Sequence, residues 1–269
     1  MAIFDCFQFF NEDHILDLRF NILDEFVDFF VLVESTNDHQ GNEKKLNFNI
    51  NNFKKFEKKI IYVVVDDTQE AMKRPHKWGG SLAEQHQRNS ILKGLERCHD
   101  DDLVILSDID EIPNLNKIKF FDKKNRYAVF SQKKFDYKLN LLNETEGEWH
   151  GSKMCLKKNL VSPQWLRNLK FKNYPFWRID KVRDCQIIKE GGWHFSYLQN
   201  PENLLKKIKS SSHGEFNLPE FSSIKKIIER IEMKKNIFNL PYTYKKLELD
   251  NKFPKYIVDN KEKLKEWII

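Results

Sequence analysis

The chain has 269 residues, of which 40% are hydrophobic and 13% aromatic, enough for one large packed domain or two small ones. Lysine and arginine number 46 against 40 aspartate and glutamate residues, and the resulting formal charge of +6 is spread along the chain without a long basic block. Because proteins that bind nucleic acid usually concentrate basic charge on one face or stripe, this composition argues against nucleic acid as a partner.

The spacing of the cysteines and the length of the apolar runs indicate the cellular location of the protein. Cys6, Cys98, Cys155 and Cys185 form no CxxC pair and no metal-type spacing, so we expect reduced thiols, as in cytosolic proteins. The amino terminus lacks the pattern of a secretory signal, and no run approaches the ~18–20 apolar residues of a membrane span. The sequence therefore predicts a cytoplasmic protein without a transmembrane segment, and it leaves peripheral membrane contact open.

The first part of the chain alternates between strand-like and helix-like segments. Apolar runs predict strands over residues 3–10, 29–33, 60–65 and 103–106, and helical spacing predicts helices over residues 15–26 and 85–95. This alternation is typical of an α/β fold with a parallel sheet. Each predicted strand ends in polar groups, so we expect the carboxyl edge of the sheet to carry side chains able to bind a ligand.

The pattern changes after Pro113. Further strands are predicted over residues 127–130 and 154–156, helices over residues 201–209 and 222–236, and an amphipathic tail over residues 253–269. We find no internal repeat and no clear linker. The sequence thus predicts a single α/β domain over residues 1–269, with a mixed, mostly parallel sheet flanked by helices and with a helical C-terminal tail.

The most informative segment follows the fourth predicted strand and reads Ser-Asp-Ile-Asp-Glu-Ile-Pro over residues 107–113. Because strand side chains alternate between faces, Asp108 and Asp110 are predicted to point the same way. Two carboxylates at the carboxyl end of a strand make a good half-site for Mg²⁺ or Mn²⁺, at the edge where open α/β sheets bind ligands. The alternative is a solvated acidic turn.

Other polar residues follow the first two predicted strands or lie on the helix before the acidic segment, and we take them as further candidates for the same site. Glu12 has an alternative role as a cap of the first helix. Arg88 suits a phosphate or a structural carboxylate pair equally well, because its planar fork matches both. The candidates are Asn11, Glu12, Glu34, Ser35, Arg88 and Asn89.

In this order, the motifs resemble those of glycosyltransferase family 17, whose members have the GT-A fold, a Rossmann-like arrangement. The resemblance extends over most of the chain and implies that residues 1–113 bind a nucleotide-sugar and that residues 114–269 bind the acceptor and carry the C-terminal helices. The motifs are Asp5-Cys6-Phe7, Phe9-Phe10-Asn11-Glu12, Phe30-Val31-Leu32-Val33-Glu34-Ser35-Thr36, Gln87-Arg88-Asn89, Ser107-Asp108-Ile109-Asp110-Glu111-Ile112-Pro113, Gly191-Gly192-Trp193-His194-Phe195-Ser196 and Ser212-His213-x-Glu215.

The resemblance implies a metal-dependent transfer of a sugar, with GlcNAc favoured, from a UDP-sugar to a glycan hydroxyl with inversion. Asp110 is expected to bind Mn²⁺ or Mg²⁺ directly. Asp108 is expected to bind the metal ion through a water molecule or to hold the ribose. His194 is expected to complete the metal shell, its alternative being a structural histidine beside Trp193. The remaining donor-binding candidates are those named above, with Glu34 and Ser35 expected to hold the uracil and ribose.

An inverting reaction also needs a base near the acceptor hydroxyl. The candidates are Glu111, Asp180 and Asp184, with Glu215 as a further one, and spacing does not choose among them.

Two other functions remain open at this stage. One is a different metal-dependent enzyme that uses a nucleotide, such as a nucleotidyltransferase. The other is a glycan-binding protein that kept the fold without catalysis. The sequence does not support Ser-His-Asp hydrolysis, because the chain has no Gly-x-Ser-x-Gly elbow. It also has no Gly-x-x-x-x-Gly-Lys loop to bind a phosphate.

Overall fold

The computed structural model describes residues 1–73, 81–171, 175, 177–178, 181–210 and 223–269. Its strands are β1 (Ile3–Gln8), β2 (Phe29–Ser35), β3 (Ile60–Val65), β4 (Leu103–Ser107), β5 (Glu111–Pro113), β6 (Tyr127–Asp136), β7 (Leu141–Asn143), β8 (Glu148–Leu156), β9 (Cys185–Ile188), β10 (Gly192–Ser196) and β11 (Tyr244–Lys246). Its α-helices are α1 (Asp13–Leu23), α2 (Thr68–Met72), α3 (Leu82–Asn89), α4 (Pro163–Asn168), α5 (Pro201–Ser210), α6 (Ile224–Glu232) and α7 (Lys255–Asp259).

The first four strands form a parallel sheet in the order β3, β2, β1, β4. Phe30 to Val33 in β2 are all fully buried, because helices and turns cover both faces of this sheet. Phe7, Phe20 and Phe30 pack on the face under α1, whereas Phe4 and Val31 pack on the opposite face. The four strands predicted from continuous apolar runs are confirmed.

The second half of the sheet is mixed. β8 pairs antiparallel with both β4 and β6, and β6 pairs parallel with β9 and β10. Short strands complete the sheet: β7 lies between β6 and β11, and β5 pairs antiparallel with β10. The predicted fold class, a mixed α/β sheet flanked by helices, is confirmed.

Two strands in this half are much longer than predicted. The segment 127–130 is only the start of β6, and 154–156 is only the end of β8. Their remaining residues include buried polar side chains, among them Gln132 and Ser152, which hydrogen-bond to each other at 3.2 Å. An apolar run does not reveal such a strand, because its interior positions are polar and satisfied within the sheet.

The predicted helix over residues 85–95 is in fact two elements, α3 and a 3-10 helix from Ser90 to Leu95. Gly94 lies in the 3-10 part, where a Cβ atom would come within 2.3 Å of the Val31 side chain. The missing side chain at Gly94 therefore lets the backbone approach β2 closely. The predicted C-terminal tail contains α7 and a 3-10 helix at Lys265–Trp267. None of the helices in the described ranges combines the length and apolar character needed to cross a bilayer.

Candidate active site

A cleft of about 410 Å³ opens at the carboxyl edge of the parallel strands. Its wall is built from the end of β1, the loop after β2, α3, the turn after β4, β10 and α5. Five of the predicted site residues line it together: Glu12, Arg88, Asp108, Asp110 and His194. The polar residues of the wall are Gln8, Glu12, Asn37, Asp38, His39, Lys44, Glu84, Gln87, Arg88, Asp108, Asp110, His194, Ser196, Tyr197 and Lys207.

The two aspartates lie in a turn between β4 and β5, and not on a continuing strand as the alternation argument assumed. The Glu111 amide donates to the Asp108 carbonyl at 3.0 Å, which closes the turn. Ile109 between them is buried and packs in the core. The strand-based reason for their shared direction is therefore wrong, although both carboxylates do face the same cleft.

A fully buried arginine of α1 holds the backbone of this acidic turn. Arg19 donates from Nε and Nη2 to the two carboxylate oxygens of Asp5, at 2.7 and 2.5 Å. Its Nη1 is within 3.3, 3.2 and 2.8 Å of the carbonyl oxygens of Asp108, Ile109 and Glu111. One side chain thus ties the first helix, the first strand and the acidic turn together.

A glycine with positive φ brings His194 to this turn. Gly192 has a φ of +133°, a conformation that side-chain-bearing residues rarely adopt. A Cβ atom there would lie 2.2 Å from the Ile112 carbonyl oxygen. The close approach lets β10 pair with β5, with His194 opposite Glu111.

Asp108 is held by two arginines. Its Oδ2 accepts from Arg167 Nη2 at 2.7 Å, and its Oδ1 lies 3.4 Å from Arg88 Nη2. Burial acts to raise the pKa of Asp108, but the two guanidinium groups outweigh burial and hold the pKa well below its usual range. Arg88 also pairs with Glu84 at 2.6 Å, so its carboxylate-pairing alternative is realised in the structure.

Asp110 faces a histidine and a lysine side chain. Its Oδ1 is 3.6 Å from His194 Nε2, and its Oδ2 is 3.7 Å from the Lys207 ammonium. Burial acts to raise the pKa of Asp110, but Lys207 and then His194 outweigh burial and lower the pKa to about 2. Burial acts to lower the pKa of His194, and Asp110 reverses this, so the net direction is upward.

Glu12 reaches the cleft at the start of α1. Its Oε2 accepts from the amides of Phe10 and Asn11 at 3.2 and 3.0 Å, and its Oε1 lies 3.1 Å from Lys207. Glu12 occupies the N-cap position of α1, as the capping alternative predicted, but its side chain makes no capping hydrogen bond to the helix. Asn11, which was predicted to bind the donor together with Glu12, lines a neighbouring, smaller pocket.

The site offers few ready-made metal ligands. Within the residues that the structure describes, no three histidine, cysteine, aspartate or glutamate side chains form a cluster able to hold a metal ion. Asp110 and His194 can supply one carboxylate and one imidazole, and the buried Nδ1 of His194 has no hydrogen-bond partner in the described part of the chain. Such a pair fits Mg²⁺ or Mn²⁺ only if water and substrate oxygens complete the shell, which is how Mg²⁺ is usually bound.

Glu34 is fully buried and does not line the cleft. Its carboxylate pairs with Lys44 at 2.7 Å and accepts from the amides of Asn47 and Phe48 at 2.7 and 3.0 Å. The Tyr62 hydroxyl donates to it at 3.0 Å. Glu34 therefore organises the segment after β2, and this geometry does not support contact with uracil.

We expect Glu34→Ala to lower the free energy of unfolding by roughly 2–4 kcal/mol, because several buried donors lose a charged acceptor. Urea unfolding measures the change, and Glu43→Ala, an exposed carboxylate nearby, is the control with parent-like stability. A Glu34→Ala protein with parent stability and a selective loss of uridine binding would instead support the base-binding role.

Ser35 and Asn89 also connect parts of the scaffold. The Ser35 hydroxyl contacts the Thr68 hydroxyl at 2.9 Å and accepts from the Asn37 amide at 3.0 Å. The Asn89 side chain accepts from the Gln164 amide at 3.0 Å. Neither Ser35 nor Asn89 lines the cleft, so the structure leaves Asp108, Asp110, His194, Glu12 and Arg88 as the predicted residues that meet there.

The base candidates within the described residues do not converge on the cleft. The Glu111 side chain is fully buried, and its Oε1 accepts from Trp149 Nε1 at 2.7 Å, while its Oε2 accepts from the Asp108 amide at 3.1 Å. Asp184 pairs with Arg126 outside the cleft. Asp180 and Glu215 lie outside the described residues. The geometry therefore supports neither Glu111 nor Asp184 as the base.

Two cationic residues of the site, Lys207 and Arg167, were not predicted. Lys207 lies on the helix predicted over residues 201–209, and its sequence context does not distinguish it from the neighbouring Lys206. Arg167 lies on α4, which begins with a capping hydrogen bond from the Trp165 amide to Ser162, followed by Pro163. Serine at the cap and proline at the first turn are a helix-start signal, and they could have placed Arg167 on a helix.

A buried lysine next to the site makes stability depend on pH. Lys153 donates to the carbonyl oxygens of Arg167 and Leu169, the latter at 2.8 Å. Burial, and then the Arg167 guanidinium, lower the pKa of Lys153 to about 8.

The unfolded chain binds more protons at this position between pH 8 and about 10, where an ordinary lysine still carries its proton. We therefore expect the stability of the parent, relative to Lys153→Met, to rise with pH across this window by about 2–3 kcal/mol. Urea unfolding of both proteins at several pH values measures it, and a flat difference would contradict the expectation.

The fold and the cleft together define an α/β protein whose acidic site lies at the carboxyl edge of a parallel sheet, where open α/β sheets bind ligands. The sequence profile of glycosyltransferase family 17 matches residues 1–265. The chain therefore belongs to glycosyltransferase family 17.

Three similar proteins share the name beta-1,4-mannosyl-glycoprotein 4-beta-N-acetylglucosaminyltransferase. The human and rat proteins are each 24% identical to the chain over 231 residues, and the mouse protein is 23% identical over the same length. The matched region covers 77% of this chain but only 42% of each relative. The chain thus corresponds to less than half the length of these relatives.

Proposed function

We propose that the chain is a metal-dependent glycosyltransferase that moves a sugar from a UDP-sugar to a glycan hydroxyl with inversion, and that the sugar is GlcNAc. The proposal is supported by the family membership and by the names of the similar proteins. The single observation that carries it is the meeting of Asp110 and His194 on one cleft at the carboxyl edge of the sheet.

The cleft suits an anionic donor. Arg88, Lys44 and Lys207 line it, and a guanidinium or ammonium group forms strong hydrogen bonds with phosphate oxygens. The polar side chains of Gln8, Asn37 and Gln87 line it as well and supply neutral hydrogen-bonding groups for a base or sugar.

Asp110 and His194 would hold the cation, Mn²⁺ or Mg²⁺. The cation would neutralise the charge that develops on the departing nucleoside diphosphate. Asp108 would remain with Arg167 and Arg88, from where it can hold the ribose or a water molecule. The cytoplasmic location, the peripheral membrane contact and the identity of the base stay predictions from the sequence.

Thermal unfolding with UDP, UDP-GlcNAc and CTP, each with and without Mn²⁺, tests the proposal. Ligands that bind the folded state raise the melting temperature. We expect a clear rise with UDP and UDP-GlcNAc that needs Mn²⁺ and is lost with a chelator. A shift with CTP and release of pyrophosphate would favour a nucleotidyltransferase instead. Binding of glycans without any nucleotide effect would favour a non-catalytic glycan-binding protein.

A further inference from the structure

The Lys207 ammonium lies where positive charge is expected from a bound metal. It is 3.7 Å from Asp110 Oδ2 and 3.1 Å from Glu12 Oε1, on the wall of the cleft. His194 faces the other oxygen of the same Asp110 carboxylate. The carboxylate expected to bind the cation is thus already compensated by the Lys207 ammonium group.

We propose that Lys207 competes with the metal ion for Asp110 in the ligand-free cleft and moves to the diphosphate when a nucleotide binds, so that nucleotide and metal bind cooperatively. The cooperative binding of nucleotide and metal rests on the proposed function. The competition for Asp110 concerns the protein and the metal alone.

The competition follows from charge. At separations near 4 Å, like charges repel appreciably even where the effective dielectric constant is that of a protein surface. A divalent ion at Asp110 would meet the ammonium group within contact range of the same carboxylate. Metal binding must therefore displace Lys207 or bear the repulsion, and either effect weakens the binding.

The movement follows from the partners of Lys207. Glu12 is fixed because its other oxygen accepts from two backbone amides. Lys207 can therefore keep Glu12 as an anchor while it exchanges Asp110 for another anion. Its side chain is 33% exposed and faces the cleft, so a diphosphate in the cleft is within reach of a small rotation. Because linkage is reciprocal, a nucleotide that takes Lys207 from Asp110 strengthens metal binding, and the metal strengthens nucleotide binding.

Titration of the protein with Mn²⁺ alone, followed by isothermal calorimetry or by the electron paramagnetic resonance of free Mn²⁺, tests the competition. We expect Lys207→Gln to bind Mn²⁺ about tenfold more tightly than the parent. Lys206→Gln, on the exposed neighbour of the same helix, is the matched control and should bind like the parent. Lys207→Arg keeps the charge and should also stay close to the parent, and Lys207→Met is the second charge-removing variant if the glutamine variant does not fold.

The same titration with saturating UDP tests the coupling. We expect UDP to tighten Mn²⁺ binding in the parent and to do so several-fold less in Lys207→Gln. Equal or weaker Mn²⁺ binding by Lys207→Gln without nucleotide, or no Mn²⁺ binding by either protein, would overturn the inference. A parent that binds no UDP, with or without Mn²⁺, would overturn the proposed function and the coupling, whereas the Mn²⁺ comparison would still decide the competition.

Discussion

Asp110→Ala is expected to abolish the Mn²⁺-dependent stabilisation by UDP and to lower sugar transfer at least 100-fold, while the protein stays folded. Asp110 is the carboxylate that we assign to the cation, and loss of a charge-stabilising group at a reacting centre typically costs roughly this much. The variant should fold because the side chain lies at the cleft, 14% exposed, and Lys207 keeps its contact with Glu12.

Thermal unfolding with UDP and Mn²⁺, together with release of UDP during transfer, measures both effects. Asp101→Ala removes an exposed carboxylate just before β4 and is the control, with parent-like binding. If Asp110→Ala binds UDP and Mn²⁺ as well as the parent does, the assignment of the metal ligand is wrong.

Arg19→Met is expected to lower the free energy of unfolding by about 3–5 kcal/mol, the usual cost of removing one partner from a buried ion pair. Asp5 would be left fully buried without its counter-charge, and three carbonyl oxygens of the acidic turn would lose the guanidinium group as a donor. The loss is large compared with the total stability of a typical domain, so we expect the variant to be recovered in small yield.

Urea unfolding measures the effect of Arg19→Met, and Arg97→Met, on an exposed arginine, is the control without loss. Arg19→Lys separates the effect of Arg19 on the stability of the protein from its effect on the position of the acidic turn. A lysine keeps a charge for Asp5 but lacks the fork that reaches the turn, so we expect a folded protein with weaker binding of UDP and Mn²⁺. Parent-like stability of Arg19→Met would show that the buried pair contributes little.

The first half of the fold was predictable because its strands are buried on both faces and read as continuous apolar runs. The second half was not, because its strands bury polar groups that satisfy one another. Ser107 donates to Ser152 at 2.7 Å across the sheet, next to the pair formed by Gln132 and Ser152. Hydrophobic patterning does not detect a strand whose interior is a hydrogen-bond network.

The candidate site was predictable where the position of a residue in the sequence is enough to place it at the cleft. Asp108 and Asp110 follow a strand end, and the chain turns there into the cleft. Glu34 lies at the end of β2, but its side chain turns inward to partners 10 to 14 residues later, Lys44 and Phe48 among them. A strand end predicts the edge at which a residue lies, whereas the direction of its side chain depends on contacts that only the folded chain reveals.

Arg19 is the opposite case, because its buried ion pair was not predicted although the sequence pattern around it indicates one. It shares the buried face of α1 with Ile15, Leu16 and Phe20, where a charged residue without a partner would be very costly. A charge on an apolar helical face therefore indicates a buried counter-charge, here Asp5 on the adjacent strand.

The Arg19 contacts also constrain how the protein can evolve. A single guanidinium group serves both the architecture of the amino-terminal helix and the shape of the loop that carries the acids, so selection acts on both traits through one codon. Natural variants should accordingly retain Asp5 and Arg19 as a pair or replace them together, and a lineage that abandoned catalysis would still be held to the pair by the demands of folding.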